Sequence, residues 1–407
     1  MDRRTMWIAA CLGCICLIGP CGIDMYLGAL PAIGRDLGAS GGSIQLSVTS
    51  YFLGFTLGQL FYGPVSDRTG RKPMVYLALA LYAVSSAGCA FAANAQQLAA
   101  WRFAQGLGGS IGMVVSAAVI RDLYSGATAA SLMSMVVMIL GLSPILAPLA
   151  GSLILKAGHW RVIFGAMAGL GVAALALIHV KMPETRSRAL RGLSHPGAAL
   201  KQYRHFLVSR HFIPYAGTLA LVQGGFFAYM AGSSFVLIKL HGLSPLMYSV
   251  LFSVNAIGLA LGSFLSVKLM GRFGAHGTVK GATLAFAAGA VLLLALDRGG
   301  ASGLGWLCSL LFFLVTAVGC IMPACNLLTM EAHEANSGAA AALMGALGFG
   351  AGAIASALIG AFRSDGALPM ILIMAICGIL ATLVAHTTNP GPVLAEVLDP
   401  DTAEPAL

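Results

Sequence analysis

Charge is what this chain lacks. Only 9% of its 407 residues are charged, against 58% hydrophobic, where a soluble domain carries about 25% charged residues. That shortage excludes a soluble protein of two or three domains, because too few polar residues remain to cover them. Acids are scarcest, 14 against 23 Lys and Arg. No H-E-x-x-H pattern, paired-acid cluster or nucleophile with its base is evident, so the expectation is no enzyme. The nine cysteines fall inside apolar runs, and Cys11, Cys14 and Cys16 have no His or acid beside them. They read as small hydrophobes, not a metal site or disulfide framework. The net charge of +9 reads as basic loops beside membrane spans, not as nucleic-acid binding, because the basic residues are scattered between apolar runs.

What is present is apolar length. A span takes about 20 apolar residues, and the chain offers such runs near 6–30, 44–64, 74–94, 96–121, 129–155 and 161–181. After a polar segment, 182–210, come 211–238, 246–271, 277–296, 303–330, 336–362 and 366–386. The expected fold is an all-α membrane protein with twelve transmembrane helices. It divides into six-helix bundles at 1–181 and 211–386, a linker at 182–210 and a tail at 387–407, as in transporters built from repeats. Sixteen Lys and Arg fall on one side of these spans and six on the other, with Arg102 inside a span. Both termini are therefore expected in the cytoplasm. Trp7, Trp101, Trp160 and Trp306 begin spans, where aromatic belts sit. The 52 glycines suit close helix packing.

Asp24 is the one acid well inside a span, and an ionisable residue there is a functional hypothesis by default. Arg102 is the corresponding base. Asp24 lies about 9 Å and Arg102 about 10 Å below the same surface, so the two are expected to pair. An acid balanced between burial and such a partner can load and unload a proton. The second half offers Gln223, Asn255 and Asn326, with Phe226, Phe227, Tyr229 and Met322, as neutral candidates for touching a substrate. Tyr26 and Gln105 join them from the first half. This set suits an amphipathic or neutral solute better than a strongly charged one.

Gly63 to Lys72 reads GPVSDRTGRK, a tight turn in which Asp67 can pair among Arg68, Arg71 and Lys72. This loop resembles the signature of the major facilitator superfamily. LAAWRFAQGLGGS at Leu98 to Ser110 resembles its R-x-x-Q-G motif, at Arg102, Gln105 and Gly106. GLSPILAPLAG at Gly141 to Gly151 is similar to the span-five motif of drug exporters, and with DMYLGALP and RDLY it resembles the bicyclomycin- and chloramphenicol-resistance group. Gly28 stands where many of that group have proline. The second half keeps only GRFG, Gly271 to Gly274, without the acid.

The resemblance implies a proton-driven exporter of drug-like small molecules in the bacterial inner membrane, with no cofactor beyond the proton gradient. It assigns proton coupling to Asp24 and Arg102. A conformational latch would use Gly63, Asp67, Arg68, Gly70, Arg71 and Arg121, and a span-five hinge would use Gly141, Pro144, Pro148 and Gly151. The expected partners are a small-molecule substrate, protons and the lipid bilayer, and the chain is expected to be a monomer. The alternative is a proton-coupled uptake symporter for a sugar or organic acid.

Overall fold

The computed structural model describes residues 3–193, 196–300, 303–331, 337–362 and 366–387. The tail expected at 387–407 lies outside them beyond Thr387. Among the described residues the chain is helical throughout and has no strand. The first half contains α1 (Arg3–Leu27), α2 (Leu30–Asp36), α3 (Gly41–Thr69), α4 (Arg71–Ala90), α5 (Ala95–Gly109), α6 (Ile111–Leu123), α7 (Gly126–Ala157) and α8 (Trp160–Lys181). Then come α9 (Arg188–Leu193), α10 (Pro196–Val208), α11 (Ile213–Ser234), a π-helical turn (Phe235–Leu240), α12 (Pro245–Arg298), α13 (Leu304–Glu331), α14 (Ser337–Ala361) and α15 (Leu368–Thr387).

Helix starts follow local capping chemistry. Ser40, Asn94 and Ser244 each accept a hydrogen bond from the backbone N–H three residues on, which satisfies an orphan donor of the first turn. Ten helical runs among the described residues are long and apolar enough to cross a membrane. α3 is not one of them despite its 29 residues, because amides and hydroxyls such as Gln45, Ser47, Thr49 and Gln59 interrupt its apolar surface. The runs expected at 246–271 and 277–296 form one element, α12, broken only at Gly274 (φ 71°, ψ 166°).

Two differences from the sequence reading have local causes. The run at 96–121 is α5 and α6, divided at Ser110 where Gly108, Gly109 and Gly112 let the helix lie against Ala78, Gly19 and Ile15. The polar linker is not a plain loop. It folds into α9 and α10 because Tyr203 and Phe206 form one buried face of α10.

Helices α1 and α3 to α8 pack mainly on one another, as do α11 to α15. The two sets meet along two principal seams, α3 against α14 and α7 against α12. The α3–α14 seam carries Gln45 donating to Ser356 at 3.0 Å and the rings of Phe55 and Phe349 at 4.2 Å.

Candidate functional site

Arg102 and Gln105 lie three residues apart on α5, so they share a face. Both are fully buried. Arg102 Nη1 donates to the Gly22 carbonyl and to Gln105 Oε1, each at 2.6 Å. The guanidinium lies between the rings of Tyr26 and Tyr51, at 4.0 and 4.1 Å from their centroids. Those rings are themselves fixed: Tyr51 donates to the Gly19 carbonyl at 2.8 Å, and the hydroxyls of Tyr26 and Ser47 bond at 3.0 Å. Gln105 Nε2 donates to Ser86 Oγ at 2.7 Å. Arg102 thus ties α5 to α1 and α3 through neutral partners.

Asp24 is 3% exposed, yet it forms no ion pair with Arg102, and its Oδ1 has no hydrogen bond. The expected pairing is therefore corrected. Equal depth places two groups in one layer, but the orientation of each helix decides whether they meet. Arg102 turns Nη1 to Gly22 and Gln105 and its faces to the two tyrosines, while its buried Nε has no hydrogen-bond partner. Burying a charge without a partner is expensive. One turn beyond Asp24, Gly28 lies against Tyr248 and Ser249 of α12 in the second half.

The second half meets this point with neutral groups. Asn255 Nδ2 donates to Tyr229 Oη at 2.7 Å, Ser233 and Tyr248 bond at 3.2 Å, and Phe252 stacks on Tyr229 at 5.7 Å. Phe227 packs 4.7 Å from Phe52 and 4.9 Å from Phe349. Gln223 is aimed at Gly348 of α14, and its Oε1 has no hydrogen-bond partner. Of the candidates, Phe227 reaches across to Phe52, whereas Tyr26 and Gln105 are packed with Arg102 inside the first half and Gln223, Tyr229 and Asn255 make their contacts within the second. Phe226 flanks Phe227 and Tyr229, whereas Asn326 is exposed and apart from them. Sequence reasoning missed Phe52, Phe55 and Phe349. The signal for the first two was there, aromatics three apart on a span otherwise rich in amides and hydroxyls.

At the other end of α3, Arg71 is the hub. It pairs with Asp67 at 2.6 Å and Asp122 at 3.0 Å, and donates to Ser66 Oγ at 2.7 Å. Glu184 accepts from the backbone N–H groups of Arg71 and Lys72 at 3.0 and 3.2 Å, at the positive end of α4. Gly70 (φ 106°) permits this turn, and Gly63 is half-buried beside α6. Of the other latch candidates, Arg68 is exposed, and Arg121 lies against Gly338 of α14, not against Asp67. Sequence reasoning missed Asp122 and Glu184, each more than 50 residues from the turn they serve.

In α7, Pro144 and Pro148 both lie within a continuous helix. Each removes one backbone donor, which weakens the ladder there. Ser253 of α12 donates to the Ile145 carbonyl between them at 2.7 Å. Gly151 lies so close to the Met25 carbonyl that a Cβ would overlap it, while Gly141 faces open space. Only one of the two glycines is therefore a packing contact.

Solved structures share this architecture. The D-xylose–proton symporter superposes with a TM-score of 0.74 at 18% identity, covering 95% of this chain and 98% of that one. A bacterial homolog of the human lysosomal transporter Spinster, inward-facing and unoccupied, gives 0.71 at 15% identity over 96% and 100%. The fold is that of a membrane transporter. The sequence profile of the Major Facilitator Superfamily matches residues 12–357, and the chain belongs to that superfamily. It is a transporter, not an enzyme. It is 35% identical to an uncharacterized MFS-type transporter, YdgK, of Bacillus subtilis, over 94% of this chain and 95% of that one. It is 29% identical to a bicyclomycin resistance protein homolog of Haemophilus influenzae over 95% and 96%. It is also 32% identical to the multidrug resistance protein MdtL of Escherichia coli over 60% and 62%.

Proposed function

We propose that the chain exports drug-like, amphipathic small molecules from a bacterium in exchange for protons, by alternating access. The observation that carries this reading is Asp24, a buried acid without a counter-charge, one turn before the point where Gly28 meets Tyr248 and Ser249 of α12. In the proposed cycle the substrate enters from the cytoplasm or inner leaflet while Asp24 is ionised. A proton arriving from outside competes with it and releases it. Arg102 holds Gly22 and the two tyrosines in place, so it shapes the acid's surroundings without contacting it. The proposed topology is twelve spans in two six-helix units, with both termini on the cytoplasmic side of the inner membrane, working as a monomer. The Arg71 network and the proline pair of α7 act as latch and hinge. The names of the Haemophilus and Escherichia relatives, a bicyclomycin resistance protein homolog and a multidrug resistance protein, support drug-like cargo, and the proposed range includes chloramphenicol-type antibiotics.

Exchanging one proton for a neutral drug moves net charge, so the membrane potential adds about 2.3 kcal/mol per 100 mV. That corresponds to more than tenfold accumulation. Purified protein in liposomes, given a labelled phenicol antibiotic and an imposed pH gradient, tests the reading. Asp24→Asn should abolish gradient-driven accumulation while the protein remains inserted. Gradient-driven transport at the wild-type rate by this variant would falsify the proposal. The sign of accumulation separates export from the uptake alternative.

A further inference from the structure

The linker helix α10 is bolted to α3 through a gap that proline opens. Pro64 has no backbone N–H, so the Leu60 carbonyl four residues earlier loses its helical partner. Tyr203 of α10 donates its hydroxyl to that carbonyl at 3.2 Å. Phe206, on the same buried face, stacks against Phe212 at 5.1 Å. With that face committed, helical geometry turns Leu200 and Leu207 sideways, 71% and 45% exposed. Lys201 and Arg204 follow on the next shoulder, both exposed. Beside Leu200 runs a groove of about 500 Å³ floored by Leu57, Leu60, Phe61 and Val65 of α3. Its lining is almost wholly apolar, and Leu57 and Phe61 continue it onto the exposed side of α3.

We propose that this groove is a binding site for an anionic phospholipid. One acyl chain lies between α3 and α10 against Leu200, and the headgroup phosphate sits on Lys201 and Arg204. An apolar trough leading to a basic shoulder matches such a lipid, with its charge at the surface and its chains below. The site rests on reading α10 as lying at the membrane surface. It does not depend on which surface, so its failure is separable from failure of the proposed orientation.

The experiment uses the full-length protein in nanodiscs of phosphatidylcholine doped with phosphatidylglycerol, whose leaflets are alike. Extraction followed by native mass spectrometry counts retained lipids. The wild type should keep phosphatidylglycerol in preference to phosphatidylcholine. Each basic side chain near the surface contributes about fivefold in affinity. Lys201→Gln with Arg204→Gln should therefore lose about thirtyfold, and Leu200→Ser should loosen both lipids. Arg3→Gln with Arg4→Gln, remote from the groove, serves as the control and should leave retention unchanged. Melting in detergent identifies any misfolded variant, in which case the single substitutions Lys201→Gln and Arg204→Gln decide. Equal retention by wild type and Gln variants overturns the proposal. So does disulfide cross-linking of two copies through Leu200→Cys in place of lipid retention.

Discussion

Gly70 and Gly274 occupy corresponding turns of the two halves, and the backbone treats them alike. Their angles are φ 106°, ψ 155° and φ 71°, ψ 166°, a region open essentially to glycine alone. Their surroundings differ. Around Gly70 the carboxylates of Asp67, Asp122 and Glu184 converge on Arg71 and on the start of α4. Residues 270–280 contain no acid at all. There Arg272 lies over the Phe273 ring at 5.3 Å, and Tyr215 bonds His276 at 3.2 Å. The fold therefore needs the turn twice but the charges only once. Geometry is shared by both halves, while the ionic network belongs to the first.

Substitutions can break that contrast, and the largest effect is expected in the interior. Arg102→Met removes charge-assisted bonds to Gly22 and Gln105 and the stacking between Tyr26 and Tyr51. It should cost about 3 kcal/mol of stability in detergent melts, against about 1 kcal/mol for Asn255→Ala in the second half. Equal losses would show that Arg102 does not organise its half. The turns come next. Gly274→Ala should cost about 1–2 kcal/mol for backbone strain alone, since nothing lies within 4 Å of the added carbon. Gly70→Ala should cost more, because its Cβ would come within 2.5 Å of Glu184 Oε2. A smaller loss at Gly70 would mean that the ionic network yields easily. Arg71→Gln should then cost about 2 kcal/mol, below the range for a fully buried pair because Asp67 is 37% exposed. Arg272→Gln should fall within about 0.5 kcal/mol of wild type.

The sequence reveals composition and local spacing well and relative rotation poorly. Apolar length announces an all-helical membrane protein, and the resemblance of the Gly63–Lys72 loop to the superfamily signature agrees with the matching profile. Asp67 and Arg71 pair as their four-residue spacing allows. Asp122 and Glu184 are invisible at that range, because only the packing of α4, α6 and α8 brings them to the turn. Depth counting put Asp24 and Arg102 in one layer and then failed, since rise along a helix carries no information about which neighbour a side chain faces. Trp160 failed for a related reason. It begins a span as belt residues do, but it is 2% exposed and donates Nε1 to Asp36 at 3.0 Å. The helicity of α10 was hidden by the polar residues around its two buried rings.

Asp36 supplies the smallest expected effect and a comparison between the two ends of the first half. Like Asp67 it faces an arginine, Arg161 at 2.6 Å, with Trp160 and His159 beside it. Unlike the Arg71 network, this clasp is open to water, where screening leaves ion pairs weak. Hydrogen bonds from Arg161 and Trp160 hold the Asp36 carboxyl below its ordinary value. Its contribution is thus complete above the ordinary carboxylate range and fades as pH falls through the lowered value. Asp36→Asn should lower the melting temperature slightly at neutral pH, and the gap from wild type should begin to close below about pH 4. A gap that widens in acid would mean that the clasp is held by something other than the ionised carboxylate.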